Sequence, residues 1–458
     1  MTEILKRRKA LSVGPLKAGS TLGACLAFMG IDRTIPMIHG SQGCTAFGKI
    51  FFIQHFQEPI PLQTTALDQM GTVMGSYEYL IEGLATLCRK SDPAMIGVPT
   101  SGLAEVQGFD AAMGVREFRE RHPEYAGVAV VPVSTPDFRG DLESGFAETV
   151  TEILRATVPE DASQVGRRPR QVNLLAGSVL TPGDLDDLKE MMEDFGLRPV
   201  VVPDISRSLD GHLAPEDHNP VSTGGTTLAD LATLGRAAAT VVVGASMAGP
   251  ADELRRRTGV PDVRFDHLFG LAATDALVME LRRISGRDVS ERLERWRTRL
   301  LDTMLDAHFM LGFSRFAVAA EPDLLVGLSA LLHELGAEVT AAVVPADAPV
   351  LARSGLARVQ IGDLQDAERL AREGDAEVLV TNSHGVAVAK RLGIPLCRAG
   401  FPLFDEAGGF ARTWVGYRGA RRVLFDLTNI LTRADRGEVH PYRSIYRLPE
   451  AEARGGAP

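Results

Sequence analysis

At 458 residues the chain exceeds what one ordinary hydrophobic core organises, so two to three compact domains are expected. Hydrophobic residues at 45%, charged residues at 24% and a mean hydropathy near zero describe a globular protein without an apolar run long enough to span a bilayer. A net charge of −10 argues against a nucleic-acid backbone as partner. Four well-separated cysteines are too few for a disulfide framework, and a reducing, cytoplasmic setting is expected.

From the N-terminus, Lys6, Arg7, Arg8 and Lys9 form a basic stretch with no apolar leader behind it, which reads as a solvated tail. Leu22, Cys25, Leu26 and Met29 recur at helical spacing on one face, the pattern of a buried stripe, so Cys25 reads as a core thiol. The apolar run Ile35 to Ile38 then leads into His39-Gly40-Ser41-Gln42-Gly43-Cys44, a glycine-bearing turn before a helix over Thr45 to Phe56. Glycines let backbone approach a bulky inorganic group, and a helix N-terminus favours the thiolate form that a metal needs, so Cys44 is the candidate ligand. The residues alone leave an unliganded thiol open as the alternative. Gly43 to Ile50 follows the P-loop pattern up to its last position, but Ile50 has no hydroxyl for magnesium; Phe47, Ile50 and Phe51 read instead as a core helix face.

Cys88 shares a helical face with Leu80, Ile81 and Leu84, and Cys397 ends an apolar strand, so both read as structural. Strands are predicted at Met95 to Pro99, Val128 to Val133, Val172 to Ala176, Pro199 to Val202, Thr240 to Val243, Arg315 to Ala319, Glu338 to Val344, Ala357 to Ile361, Val378 to Thr381 and Ile394 to Cys397. Most precede amphipathic stretches such as Asp184 to Phe195. This alternation predicts an α/β protein of three Rossmann-like domains, each with a mainly parallel sheet of four to five strands. The polar stretch Glu160 to Arg170 and the end of a long helix near Leu311 divide the chain into 1–165, 166–311 and 312–458. The last part closes on a helix around Ala420 to Leu431 and a polar tail. No G-x-G-x-x-G follows any strand, so a standard dinucleotide site lacks support. Gly224-Gly225-Thr226-Thr227 reads as a helix N-cap, and Ser383-His384 as a structural turn or subunit contact, since adjacent residues seldom face each other as a catalytic pair.

An iron-sulfur cluster usually takes four thiolates, and this chain offers Cys44 alone. If Cys44 binds a cluster, the remaining ligands come from a partner, and the protein is one half of a heteromer with the cluster at the interface.

The run HGSQGCTAF (39–47) followed by QHFQEPIPLQTTA (54–66) resembles the β-type chains of nitrogenase component 1 and their relatives. The likeness continues in register through TPDFRG (135–140), GGTT (224–227), LLDTMLDAHFMLGFSRFAVAAEPDLLVGL (300–328), TNSHG (381–385), RAGFPLFDEAGG (398–409) and VGYRGA (415–420), nearly the whole chain. The nitrogenase β subunit itself looks to give three cysteines to its P-cluster, and here only Cys44 matches; Gly19 and Gly102 stand at the other two positions. The resemblance therefore implies the scaffold branch of the family, on which the iron-molybdenum cofactor is built, with Cys44 as metal and cofactor ligand and no catalytic residue. What it implies further is one thiolate to a 4Fe-4S cluster shared with the α-type chain NifE in an α2β2 heterotetramer, electrons from the nitrogenase iron protein, and apo-nitrogenase as cofactor acceptor. The cofactor precursor would sit in the partner, because this chain has no cysteine between Cys88 and Cys397. The alternative is a catalytic reductase subunit, either a nitrogenase β chain or a subunit of dark-operative protochlorophyllide reductase.

Overall fold

A computed structural model describes residues 2–7, 12–74, 77–212 and 219–434; the C-terminal tail and part of the basic N-terminal stretch fall outside the described residues. The strands are β1 (Glu3–Leu5), β2 (Thr34–Ile38), β3 (Gln63–Thr64), β4 (Met95–Pro99), β5 (Ala129–Val133), β6 (Arg168–Ala176), β7 (Arg198–Val202), β8 (Ala237–Val243), β9 (Asp262–Phe265), β10 (Arg315–Ala319), β11 (Glu338–Val344), β12 (Arg358–Ile361), β13 (Val378–Thr381) and β14 (Leu396–Arg398). They pair in parallel into three sheets, in the orders β3-β2-β4-β5, β7-β6-β8-β9 and β1-β12-β11-β10-β13-β14. The central strands are apolar nearly without interruption because helices cover both faces of each sheet. Every residue of β2, β4 and β13, for example, is buried.

The third sheet has six strands where four to five were expected. The addition is β1, whose Glu3, Ile4 and Leu5 align with Arg358, Val359 and Gln360. The N-terminal segment thus crosses to the sheet farthest from it in sequence. One continuous apolar core runs from Cys25 and Phe28 through Leu174 and Val242 to Phe316 and Leu424, so the three sheets share their packing. Helix starts follow ordinary capping chemistry: Thr181 accepts from the Asp184 amide at 3.1 Å and Pro182 follows it, opening the helix Pro182–Asp194. Asp184 Oδ1 in turn accepts from the Trp414 and Val415 amides at 2.6 and 3.0 Å, tying this helix to the start of the closing helix Gly416–Ala434.

Two features hold the middle of the molecule. The helices Ser20–Met29 and Leu142–Thr157 cross through reciprocal glycines: a Cβ at Gly23 would run into the Leu142 carbonyl, and one at Gly145 into the Ser20 carbonyl. Beside this crossing lies a buried set of carboxyls from two segments far apart in sequence, Asp141 and Glu143 at the start of one helix, Glu321 and Asp323 at the end of β10 and the start of the helix Pro322–Glu334. Glu143 Oε2 accepts from the Asp323 amide at 3.0 Å, and Asp323 Oδ2 accepts from the Ser246 amide and hydroxyl at 3.0 and 2.7 Å. Residues associated with all three sheets therefore meet here. Burial and mutual repulsion push the Glu143 and Glu321 carboxyls well above the usual range, and burial raises Asp323 to about 6.

Between the unfolded and folded pKa values the folded chain binds more protons at these carboxyls, so their contribution is fully present below about pH 4 and is lost as pH rises through 6 and beyond. Replacing Glu321 by Gln, which mimics the protonated form, should flatten the decline in thermal stability as pH rises above the ordinary carboxylate range. An unchanged slope would mean that Glu321 ionises freely in the folded chain. Gly23→Ala should cost at least about 1–3 kcal/mol in denaturant unfolding, because the methyl group has backbone rather than a movable side chain in its way.

Candidate functional site

β2 delivers the chain to His39, whose amide donates to the Pro99 carbonyl and whose carbonyl accepts from Ser101, so the turns after β2 and β4 run side by side. Gly40 packs against Ser101 so closely that any Cβ would overlap its side chain. Ser41 then caps the helix Gln42–Phe56 through its extended backbone, with no side-chain bond to the helix amides. Cys44 sits in the first turn of that helix, exposed, with Sγ 3.6 Å from Ser41 Oγ. The first-turn amides there have no partner within the helix and favour an anionic sulfur or sulfur-bound group.

The other three cysteines are buried. Burial alone pushes the Cys25 thiol far up, and it raises Cys88 to about 11 and Cys397 to about 12. A thiol held in that form neither attacks nor binds metal, as the sequence pattern implied for all three.

Gly19 and Gly102 meet around a carboxylate. Gly19 is the N-cap of the helix Ser20–Met29 and Gly102 opens the short helix Gly102–Val106. A Cβ on either would lie 3.1 and 3.3 Å from the two oxygens of Asp137. Asp137 Oδ1 accepts from Thr21 Oγ1 at 3.1 Å and Oδ2 from the Gly102 amide at 3.4 Å, while Lys17 reaches the Asp137 carbonyl. Sequence reasoning passed over Asp137, although the Thr135 to Gly140 run was visible as a motif. Only the fold shows what the aspartate faces.

The surface around Cys44 is apolar. Phe47, Ile50 and Ile53, three, six and nine residues further along the helix, are 67%, 49% and 44% exposed, which corrects the reading of Phe47 and Ile50 as a core face. The helix buries Thr45, Gly48, Phe52 and Phe56 instead, and Phe51 is half-buried. Next to the two glycines, Leu103, Val106 and Phe138 are exposed as well, at 39%, 78% and 65%. Exposed large apolar side chains that follow one another along a helix and beside the turn packed on its start suit a contact surface better than ordinary scatter.

The remaining motifs settle into structural roles. Residues Gly43 to Ile50 are helical throughout, so no loop remains there to wrap a phosphate. Thr227 caps the helix Leu228–Leu231 by accepting from the Asp230 amide at 3.0 Å. Ser383 donates to Asp405 and accepts from the Phe404 amide, while the His384 ring lies edge-on to Phe51 and Phe404; serine and histidine make no pair. His55 accepts from the Leu403 amide at 2.9 Å, and burial lowers it to about 3, so it holds the third sheet's loops against the Cys44 helix as a neutral ring. Among the described residues no helix is long and apolar enough to cross a membrane.

In the iron-free chain, iodoacetamide should modify one cysteine under native conditions and four after denaturation, with no native modification in Cys44→Ala. Native labelling of two or more sites would contradict the burial described above.

The family model for nitrogenase component 1 type oxidoreductase matches residues 20–432. The chain is 42% identical to the nitrogenase iron-molybdenum cofactor biosynthesis protein NifN of Bradyrhizobium diazoefficiens, over 96% of this chain and 95% of that protein. It is 41% identical to the protein of the same name from Klebsiella pneumoniae, over 100% and 99%. Among solved structures it is similar to nitrogenase Cp1 at pH 6.5, with a TM-score of 0.88, 27% identity and coverage of 95% and 96%.

Proposed function

The chain belongs to the nitrogenase component 1 type oxidoreductase family, and on that premise we propose that it is the β-type subunit of a scaffold on which the iron-molybdenum cofactor of nitrogenase is assembled. The observation that carries the reading is the pairing of one accessible thiol with two glycines where thiolates would otherwise be expected, all within an exposed apolar surface.

Cys44 contributes one thiolate to a 4Fe-4S cluster. The donor set fits a shared site and no larger one: Cys44, a single sulfur at a helix N-terminus, would hold the cluster by one ligand, and three further ligands would come from the α-type partner, NifE. Phe47, Ile50, Phe138 and Val106 pack against that partner and exclude water from the cluster's surroundings. The first-turn amides of the Gln42–Phe56 helix offset the negative charge of the bound group. When bound, such a cluster would supply one-electron transfer, with the nitrogenase iron protein as the electron donor that docks on the α2β2 heterotetramer. The cofactor precursor is cargo held by the partner, since Cys88 and Cys397 are buried and no cysteine lies between them, and the finished cofactor passes to apo-nitrogenase.

Anaerobically co-purified complex should show one reducible 4Fe-4S cluster for each pair of chains by Mössbauer spectroscopy. In Cys44→Ala the heterotetramer should persist, because an exposed side chain has been shortened, while that cluster is lost or becomes labile. Unchanged iron in the variant, or an eight-iron P-cluster spectrum in the unmodified complex, would overturn the assignment.

A further inference from the structure

Away from Cys44, Glu58, Asp210 and His212 each offer one donor atom, and these atoms all lie within 4.8 Å of one another. Glu58 follows the Gln42–Phe56 helix, whereas Asp210 and His212 come from the loop beyond β7, so the cluster spans segments attached to the first and second sheets. Gly211 between them has φ +84°, a left-handed turn that brings Asp210 and His212 together; His212 Nδ1 lies 2.6 Å from Asp210 Oδ1. That contact fixes the ring but does not reach Glu58 Oε1. Glu58 is only 8% exposed, and its Oε1 is buried with no hydrogen-bond partner. A carboxylate oxygen left so has lost its hydration without a compensating partner, and Glu58 opens with His212 onto a cavity of about 30 Å³ that also touches Pro59 and Leu209. Burial raises the Glu58 carboxyl, while the Gly211 amide and His212 pull it down.

We propose that Glu58, Asp210 and His212 bind a first-row divalent cation of the zinc or iron(II) class, which joins the first and second sheets at a point separate from Cys44. The donor chemistry selects that class. One imidazole with two carboxylates suits zinc, iron(II) or manganese(II), offers no soft sulfur for copper(I), and includes a nitrogen that magnesium and calcium do not seek. A cation would give the stranded Glu58 oxygen its partner and offset two negative charges held close together. His122 and Glu124 supply a contrast, an i, i+2 histidine–carboxylate pair with a 3.0 Å contact and no buried third donor.

The test is equilibrium dialysis of the full, partner-bound complex against zinc after chelator washing, with zinc and iron measured separately. The unmodified complex should bind one zinc per chain of this type that Glu58→Gln and His212→Ala bind at least about 10-fold more weakly, with His122→Ala unaffected. Zinc should also raise the melting temperature of the unmodified complex and not of those two variants. Should Glu58→Gln fail to assemble, Asp210→Asn on the exposed side gives the same readout. Iron content and cluster spectrum should stay constant throughout, which separates this site from the Cys44 reading. Equal zinc stoichiometry and affinity in the unmodified complex and the variants, no zinc binding at all, or an equal loss in His122→Ala would each overturn the proposal.

Discussion

The close crossing of the Ser20–Met29 and Leu142–Thr157 helices is the constraint on which the site geometry rests. With glycine at both contact points, backbone meets backbone, and neither helix can rotate or slide without losing the fit. Gly19 lies at the leading end of the first helix, and the segment carrying Asp137 leads into the second, so one crossing fixes both. The turn after β4 is then placed against them through Gly102, and the turn after β2 is placed against that one through Gly40 and Ser101. Cys44 is thus positioned by a chain of backbone contacts that begins in a buried helix pair.

Asp137 explains how the chain manages without the two extra thiolates that the resemblance to nitrogenase β chains would supply. Opening helices at Gly19 and Gly102 leaves amides and a nearby hydroxyl in need of an acceptor. One carboxylate serves both ends, and its charge is favoured by the positive end of each helix. A cysteine restored at either glycine would meet that carboxylate at about van der Waals distance or closer. The glycines and the aspartate therefore form one local solution, in which a single side chain serves the starts of two helices.

Much of this was legible in the sequence. Strands such as Met95–Pro99 and Arg315–Ala319 stand where short apolar runs put them, because their length of about five residues suits a strand buried on both faces and is too short for a helix. β1, β3 and β9 escaped for the opposite reason: they are two to four residues long, partly exposed, and defined by pairing with distant segments. Cys44 was distinguishable from Cys25, Cys88 and Cys397 because glycines and a helix start surround it while apolar stripes surround the others. The outward direction of Phe47 and Ile50 was not legible, since periodicity reveals that a helix has an apolar face but not whether this chain supplies the cover. The grouping of Glu143, Glu321 and Asp323 was equally hidden, as was that of Glu58 with His212, because each joins residues more than 100 positions apart.

On the proposed reading, an apolar face without a cover and a thiol without its fellow ligands express the same incompleteness. A monomer evolved to stand alone would bury Phe47, Phe138 and Val106 or replace them with polar groups, because exposed apolar area lowers solubility and invites association. Retaining them around an accessible cysteine makes sense when a second chain brings both the opposing apolar surface and the other ligands. On the proposed reading the two contributions would reinforce each other, because excluding water would strengthen the electrostatic hold of the helix amides on a bound anionic group. The rest of the fold is built so that this edge does not shift, from the reciprocal glycines and the shared core to the neutral His55 that pins the third sheet's loops to the Cys44 helix.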